Sequence, residues 1–550
     1  MVLIVKEKLF FFTSLSPRWT REERPYGYLN GTDPGSQKRE ATINSSFNKI
    51  SFDPTSRIRS NFTMLWSPTN SVGQFAAYNA AGPNWVSTTK AANLANNTTG
   101  FFSPQTSYTG NVDFVINNNV LLSARGGYFW DNYKATGVPS TTSYTYQAVA
   151  TAALVGPALA GGSQFANTPR TLITKHDLVT RAYGQVDLSV SGNLGGFHTF
   201  KGGYGLQKTV NNVDESYPGG YVYLWWDQNF ASPATGRSDR GTYGYYEVND
   251  RGTIGTTGAG IKSFYAQDQW QVHSRVTLNL GLRAEQERIP SFRRDIANYA
   301  FDFSWKDKVA PRPGASVDVF GDGKMKLFGS WGRYFDWTKY ELVRGTFGGD
   351  TWRTYYRSLD TLAIGTLNLS NMPGRDLFNP GVVAFRDQRV PSFGDESVDP
   401  DIKPMSQDQF SVGTDYQWST SIVFGARYLH NNLRRTIEDL GAVVDGNEVY
   451  IYANPGEGFA KNISSVTTAT AMPLPYPKTL RQYDALELTF DRRLSNGWFG
   501  NFSYTLSRLY GNYAGIASSD EVNTPTTGVS ASQAQQLMAR RSTSPPRWPG

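Results

Sequence analysis

The chain has 550 residues, with 53 Lys and Arg against 46 Asp and Glu for a net charge of +7; charged residues reach only 18% while aromatics reach 14%. That length allows several ordinary domains or one large architecture built from many similar pieces. With no cysteine, a disulfide scaffold, a thiolate zinc site, an iron–sulfur cluster and a cysteine nucleophile are excluded, and four histidines, His176, His198, His273 and His430, leave little for metal or acid–base chemistry.

The chain opens with MVLIVKEKLFFF, where Lys6, Glu7 and Lys8 occupy the place of a signal peptide's apolar core. No small-residue cleavage site follows, so no export signal is read. Strand-like stretches come next, at Ile58 to Trp66, Gly110 to Ile116, Val120 to Phe129, Tyr183 to Val190, Gly196 to Leu206 and Tyr221 to Trp226. Most exceed a common soluble strand and approach a tilted membrane crossing. Among them, Ala148 to Gly162 is too short for a membrane helix and is interrupted by Thr151 and Pro157, so it reads as a small-residue loop or loop helix.

The period-two pattern is clearest at Val276 to Glu285. Val276, Leu278, Leu280, Leu282 and Ala284 share one face, and Thr277, Asn279, Gly281, Arg283 and Glu285 the other. The preceding Phe264 to Val272 is joined to it through His273-Ser274-Arg275 as a hairpin. Its polar face carries Tyr265, Gln267, Gln269 and Gln271; its apolar face carries Phe264, Ala266, Trp270 and Val272, with Asp268 as an exception. A second hairpin turns at Gly321-Asp322-Gly323-Lys324. A phosphate-binding loop is a poor reading there, because Met325 follows Lys324 and the glycine spacing is wrong. Gln409 to Trp418 turns through Ser419-Thr420 into SIVFGARYLH, and Tyr483 to Leu494 turns through Ser495-Asn496-Gly497 into WFGNFSYTLSRLY.

Short connections fall on one side and long polar ones on the other: Ser67 to Thr109, Asn132 to Asp177, Asp336 to Met405 and Leu433 to Leu480. Backbone groups in hydrocarbon must all be paired, so a membrane-crossing sheet must close. The expectation is an all-β chain: a large antiparallel transmembrane β-barrel with tight turns on one rim and long loops on the other. Trp66, Tyr128, Trp130, Trp226, Trp270, Trp331, Trp418 and Trp498 are candidates for its interfacial girdles.

Chemistry-bearing motifs are sparse. There is no HExxH, no GxSxG and no histidine pair at helical spacing, so no catalytic residue is assigned and an enzyme is not expected. No cofactor is expected either. Asp395, Glu396, Asp399 and Asp401 offer oxygen ligands for a hard cation such as calcium, without a twelve-residue calcium loop; the simpler reading is a solvated acidic loop. The pairs Arg434-Arg435 and Arg492-Arg493 lie near Glu438, Asp439, Glu487 and Asp491, so no basic stripe for nucleic acid is present.

Three segments carry a family resemblance: VKEKLFFF (Val5 to Phe12), KVAPRPGASVDVFGDGKMKLFGSWGRYFD (Lys308 to Asp336) and LELTFDRRLSNGWFGNFSYTLSRLYGNYAG (Leu486 to Gly515). The chain resembles, over residues 1 to 523 in order, the β-barrel part of TonB-dependent outer-membrane receptors of the Oar-like branch. The resemblance implies a barrel, usually of 22 strands, around an N-terminal plug. It also implies uptake of an extracellular substrate energised through the TonB–ExbB–ExbD system, insertion by the barrel assembly machinery, and contact with outer-membrane lipid. VKEKLFFF resembles the start of the barrel immediately after the plug, so no plug or TonB box is expected within this chain. Residues 524 to 550, ending STSPPRWPG, are expected to be a disordered or aberrant tail, because Pro545, Pro546 and Pro549 deny strand hydrogen bonds. The barrel would then be an incomplete version of the 22-strand form, and the 550 residues alone are not expected to perform energised uptake. The alternative is a surface-located β-rich adhesion or carbohydrate-binding protein whose apolar faces would be buried between sheets.

Overall fold

The computed structural model describes residues 2–5, 8–28, 35–73, 85–87, 98–138, 141–167, 172–339, 341–344, 349–378, 398–444, 447–461, 466–467, 470–471 and 477–513. Expectations that fall on Asp395, Glu396 or the tail 524 to 550 lie outside the described residues.

Alternation of apolar and polar side chains makes each segment stable only as a strand with two different environments, and the chain uses this repeatedly. The wall consists of β1 (Leu9–Tyr28), β2 (Gly35–Thr55), β3 (Ile58–Trp66), β4 (Thr106–Asn117), β5 (Val120–Thr136), β6 (Ile173–Asn193), β7 (Phe197–Ser216), β8 (Gly244–His273), β9 (Val276–Pro290), β10 (Tyr299–Asp318), β11 (Met325–Phe335), β12 (Ser406–Gln417), β13 (Ile422–Arg435), β14 (Arg481–Ser495) and β15 (Trp498–Gly511). Each pairs antiparallel with the next, in chain order. Among the described residues the sheet counts 22 strands. The others are short pieces at its rims, among them Val2–Val5 on β1. Among the described residues β15 and β1 are not paired with each other.

Among the described residues every tight hairpin between consecutive wall strands lies on one rim. In the β14–β15 turn Asn496 and Gly497 adopt φ of 52° and 83°, the left-handed conformation a tight hairpin requires. In the β10–β11 turn the Asp318 carboxylate accepts the N–H groups of Gly321 and Gly323, each at 2.9 Å. The expected GDGK hairpin is therefore what forms. Around the wall the register is continuous: Phe62, Gly110, Gly126, Gly184, Leu206, Lys262 and Gln286 make one rung from β3 to β9.

The two faces differ as the alternation requires. Outward rows remain bare, with Phe264 52%, Leu280 47% and Leu282 51% exposed. The inward row of the same strands is polar and includes Tyr265, Gln267, Gln269, Asn279, Arg283 and Glu285. Bare apolar rows on a continuous antiparallel ladder fit a lipid-facing surface and not the buried interior of a sandwich.

Beyond the loop-side rim the strands run further than the sequence pattern suggests. β8 spans 30 residues. Its first part leaves the wall and enters a second layer, where Tyr221–Trp226 and Asp350–Ser358 flank it and Ser143–Tyr146 pairs parallel to Tyr221–Trp226. This layer has its own core of Tyr146, Leu224, Trp226, Tyr246, Val248 and Leu359. Ala148 to Gly162 does hold a loop helix, α1 (Ala152–Val155), whose Val155 enters that core. Trp226 corrects the girdle expectation: it is wholly buried, because both faces of Tyr221–Trp226 are covered by loops. Trp66, Tyr128, Trp418 and Trp498, in contrast, are well exposed on the wall. A second core, with Ile289, Phe301, Phe303, Val343 and Ile437, sits where β9 and β10 meet the loops.

Candidate functional site in the lumenal wall and the loop layer

The inward face of β5 to β11 carries a connected polar lining. Asp187 on β6 is almost fully buried there. Its carboxylate accepts hydrogen bonds from Arg125 Nη2 at 2.5 Å, from Gln185 Nε2 at 2.7 Å and from the Tyr265 hydroxyl. Three strands thus converge on one carboxylate. Gly203 on β7 makes this possible: a Cβ there would lie 2.3 Å from Asp187 Oδ1 and 2.5 Å from the Tyr265 ring. Further along, Arg283 pairs with Glu285 at 2.7 Å. Lys308 and Glu287 form a fully buried ion pair, fastened by Asp336 O at 2.9 Å from the Lys308 Nζ and by the Thr338 N–H at 2.8 Å from the Glu287 carboxylate. Supplying every charge with a partner offsets the cost of withdrawing it from water.

Between these clusters lies a polar cleft of about 510 Å³, lined on the lumen side by Gln185, Gln267, Gln269, Asn279, Arg283 and Arg312 around Gly281. Amide and guanidinium groups there can donate and accept hydrogen bonds along a passage without supplying a nucleophile or a general base. The alternation had placed Gln267, Gln269, Asn279 and Arg283 on this face. It could not bring Arg125 and Asp187 to Tyr265; the only signal was the odd-numbered polar row within Tyr183 to Val190.

The loop layer offers different chemistry. One face of its sheet joins Trp225, Tyr245, Glu247, Asn249, Thr354 and Tyr356. Trp225 stacks on Tyr245 with ring centroids 5.5 Å apart, and its Nε1 donates to Glu247 at 2.8 Å. Burial among these rings pushes the Glu247 carboxyl up to about 7, against the pull of hydrogen bonds from Trp225 and Asn249. Nearby Asp360 is held below its ordinary value by the Ser358 hydroxyl and the Thr242 N–H. Tyr146 in the core is pushed up to about 12 by burial.

The histidines sit near the rims. His273 Nδ1 accepts the Arg275 N–H at 3.2 Å within its turn, and His176 lies 3.4 Å from Asn212 Oδ1. His198 Nδ1 donates to Asp268 Oδ2 at 2.8 Å, while its ring stacks on Phe200 and Trp270. That contact explains the Asp268 exception: the carboxylate does face outward, and a neighbouring strand supplies its partner near the turn rim. His430 and Tyr428 both donate to Asp484, at 2.7 and 2.6 Å, on the same outward face near the loop rim. Asp399 is buried and accepts the Asp401 N–H at 2.8 Å in a turn. Among the described residues no three His, Asp or Glu side chains converge on a metal-sized site.

A wall with lipid-facing apolar rows, a polar lumen and tight turns on one rim defines an outer-membrane β-barrel. Residues 190–545 match the outer membrane beta barrel domain family, and the chain belongs to it. It is 29% identical over 345 residues to the TonB-dependent transporter Oar of Myxococcus xanthus, a match covering 59% of this chain and 30% of that protein. The outer membrane transporter YddB from Escherichia coli shares the fold with a TM-score of 0.54 at 11% identity, over 92% of this chain and 53% of that one. The chain therefore spans about half the length of the solved transporter and less than a third of the curated relative. The resemblance to Oar-like TonB-dependent receptors and the outer-membrane location are borne out.

Proposed function

We propose that this chain forms the barrel wall and outer loop layer of a receptor that takes up an extracellular substrate, energised through the TonB–ExbB–ExbD system, and that it catalyses no reaction. The observation that supports this reading best is the lumenal lining: paired charges and an amide-rich cleft inside a wall whose outside is bare and apolar. Such a lining gives a polar solute or a polar plug successive hydrogen-bond partners, whereas a sandwich adhesin would have no use for the exposed row Phe264, Leu280 and Leu282. The loop layer, with its own packed core and an aromatic face, is suited to hold an incoming substrate at the rim. Insertion would depend on the barrel assembly machinery.

The test is uptake. The chain is expressed within a complete receptor that includes a plug and TonB box, in the outer membrane of a host lacking related receptors, and accumulation of candidate siderophores, oligosaccharides and peptides is compared with and without a functioning TonB system. Accumulation of one class that disappears without TonB is expected. Accumulation that is indifferent to TonB, or turnover of a substrate into product, would overturn the reading.

A further inference from the structure

Many of the lumenal charges are paired, but on the outward face two of three clustered cations have no ion-pair partner among the described residues. On the rung above Leu206, Lys208 on β7 and Arg288 on β9 stand on either side of Gly260 on β8; on the Leu206 rung itself, Lys262 faces the same way. All three side chains are exposed. Arg288 has one acidic neighbour, with its Nε 3.1 Å from Asp302, and its guanidinium lies 5.5 Å from the Tyr299 ring. Lys208 and Lys262 make no ion pair among the described residues. Together with Gly184, Leu206 and Gln286 they line a depression of about 430 Å³. Gly260 keeps it open, because nothing lies within 4 Å of where its Cβ would stand.

The position of this cradle indicates what it would hold. It lies on the loop side of the apolar belt, with Lys262 beside Leu206 and one rung-pair away from Phe264. Sharing Gly184 and Leu206 with it is a second, apolar depression of about 690 Å³, walled by Phe62, Val112, Val186 and Tyr204. Three glycines in register, Gly110, Gly126 and Gly184, form its floor. Cations beside an apolar groove on a lipid-facing wall complement a molecule with an anionic head and a hydrocarbon tail. Lysine and arginine together match phosphate oxygens, and the apolar walls of the groove suit an acyl chain.

We propose that Lys208, Lys262 and Arg288 bind the phosphate of an outer-membrane lipid whose acyl chain lies in the groove over Gly110, Gly126 and Gly184. The inference rests on the wall being embedded in the membrane and not on the uptake reading, so either can fail alone.

The protein is extracted from outer membranes in non-ionic detergent, stripped of lipid, and titrated with diphosphoryl hexa-acyl lipid A while bound adducts are counted by native mass spectrometry. Saturable binding of one lipid is expected. Lys208→Ala with Lys262→Ala should weaken it at least tenfold. Gly260→Leu should weaken it as strongly by filling the cradle. Lys201→Ala, which removes the same charge from the lumenal face of β7, should leave it unchanged. Folding of each variant is read independently from heat-modifiable mobility on gels, and the Gly260 variant keeps the test open should the double variant fail to fold. Equal binding of the same lipid stripped of both phosphates would overturn the proposal. So would equal weakening by Lys201→Ala, or displacement by millimolar inorganic phosphate, which would mark a site for the free ion.

Discussion

The two ends of β8 obey opposite rules. Near the turn rim its apolar side chains point out of the protein, and Phe264 is 52% exposed; in the loop layer Tyr246 and Val248 of the same strand are wholly buried. Within the wall the hydrocarbon of the membrane takes the place of a core, so apolar groups gain by facing outward. Above it water surrounds the chain, and the same kinds of side chain are stable only when loops cover them. One strand thus passes from an environment made by lipid to one made by protein, and the cost of a substitution should depend on which side of that boundary it falls.

The sharpest way to break this contrast is in the loop core. Trp226→Ala removes a fully buried ring and should cost about 3–5 kcal/mol of local stability, read as loss of hydrogen-exchange protection in Tyr221–Trp226 while the wall strands stay protected. Equal loss in both regions would show that the loop layer and the wall unfold as one unit. In the wall the corresponding change is a charge in lipid. Leu280→Lys should cost about 2–4 kcal/mol near the bilayer midplane, and Asn279→Lys, on the lumenal face, much less. Reversible unfolding of both variants in lipid vesicles checks this, and an equal or larger effect at Asn279 would reverse the assignment of faces.

Glu247 sharpens the comparison through pH. Its carboxyl is raised from 4.5 to about 7 in the folded layer, so the folded state binds the extra proton across that window. Stability contributed at this site is greatest at low pH, falls as pH rises from about 4.5 and levels off above about 7. For a partly exposed group the loss should be about 2–3 kcal/mol. Glu247→Gln should remove that dependence in hydrogen exchange of the loop strands and leave the wall unaffected. The smallest effect is expected near the turn rim. His198→Leu leaves Asp268 Oδ2 without its donor and should cost about 1–2 kcal/mol, measured by unfolding in vesicles. Asp268→Leu in the same background should restore most of it, and failure to do so would mean that the pair serves something other than neutralisation.

The sequence alone determined the strand faces and the turn rim, because both are local. Alternation over a few residues assigns Leu280 outward and Asn279 inward wherever the strand is placed, and Asn496-Gly497 or Gly321 to Lys324 can reverse a chain by backbone preference alone. It also determined the family, since several such phrases recur in one order. Only the tertiary structure decided which distant charges meet. Asp187 finds Arg125 and Tyr265, and Asp268 finds His198, because strand register brings positions far apart in sequence to neighbouring sites, and alternation carries no information about register between strands. The loop core was hidden for a related reason. Tyr146 and Leu359 come from long connections in which no periodic pattern marks them, Leu224 and Trp226 come from a strand-like stretch that looks like one more piece of wall, and they become a core only when three connections fold over the same end of the barrel.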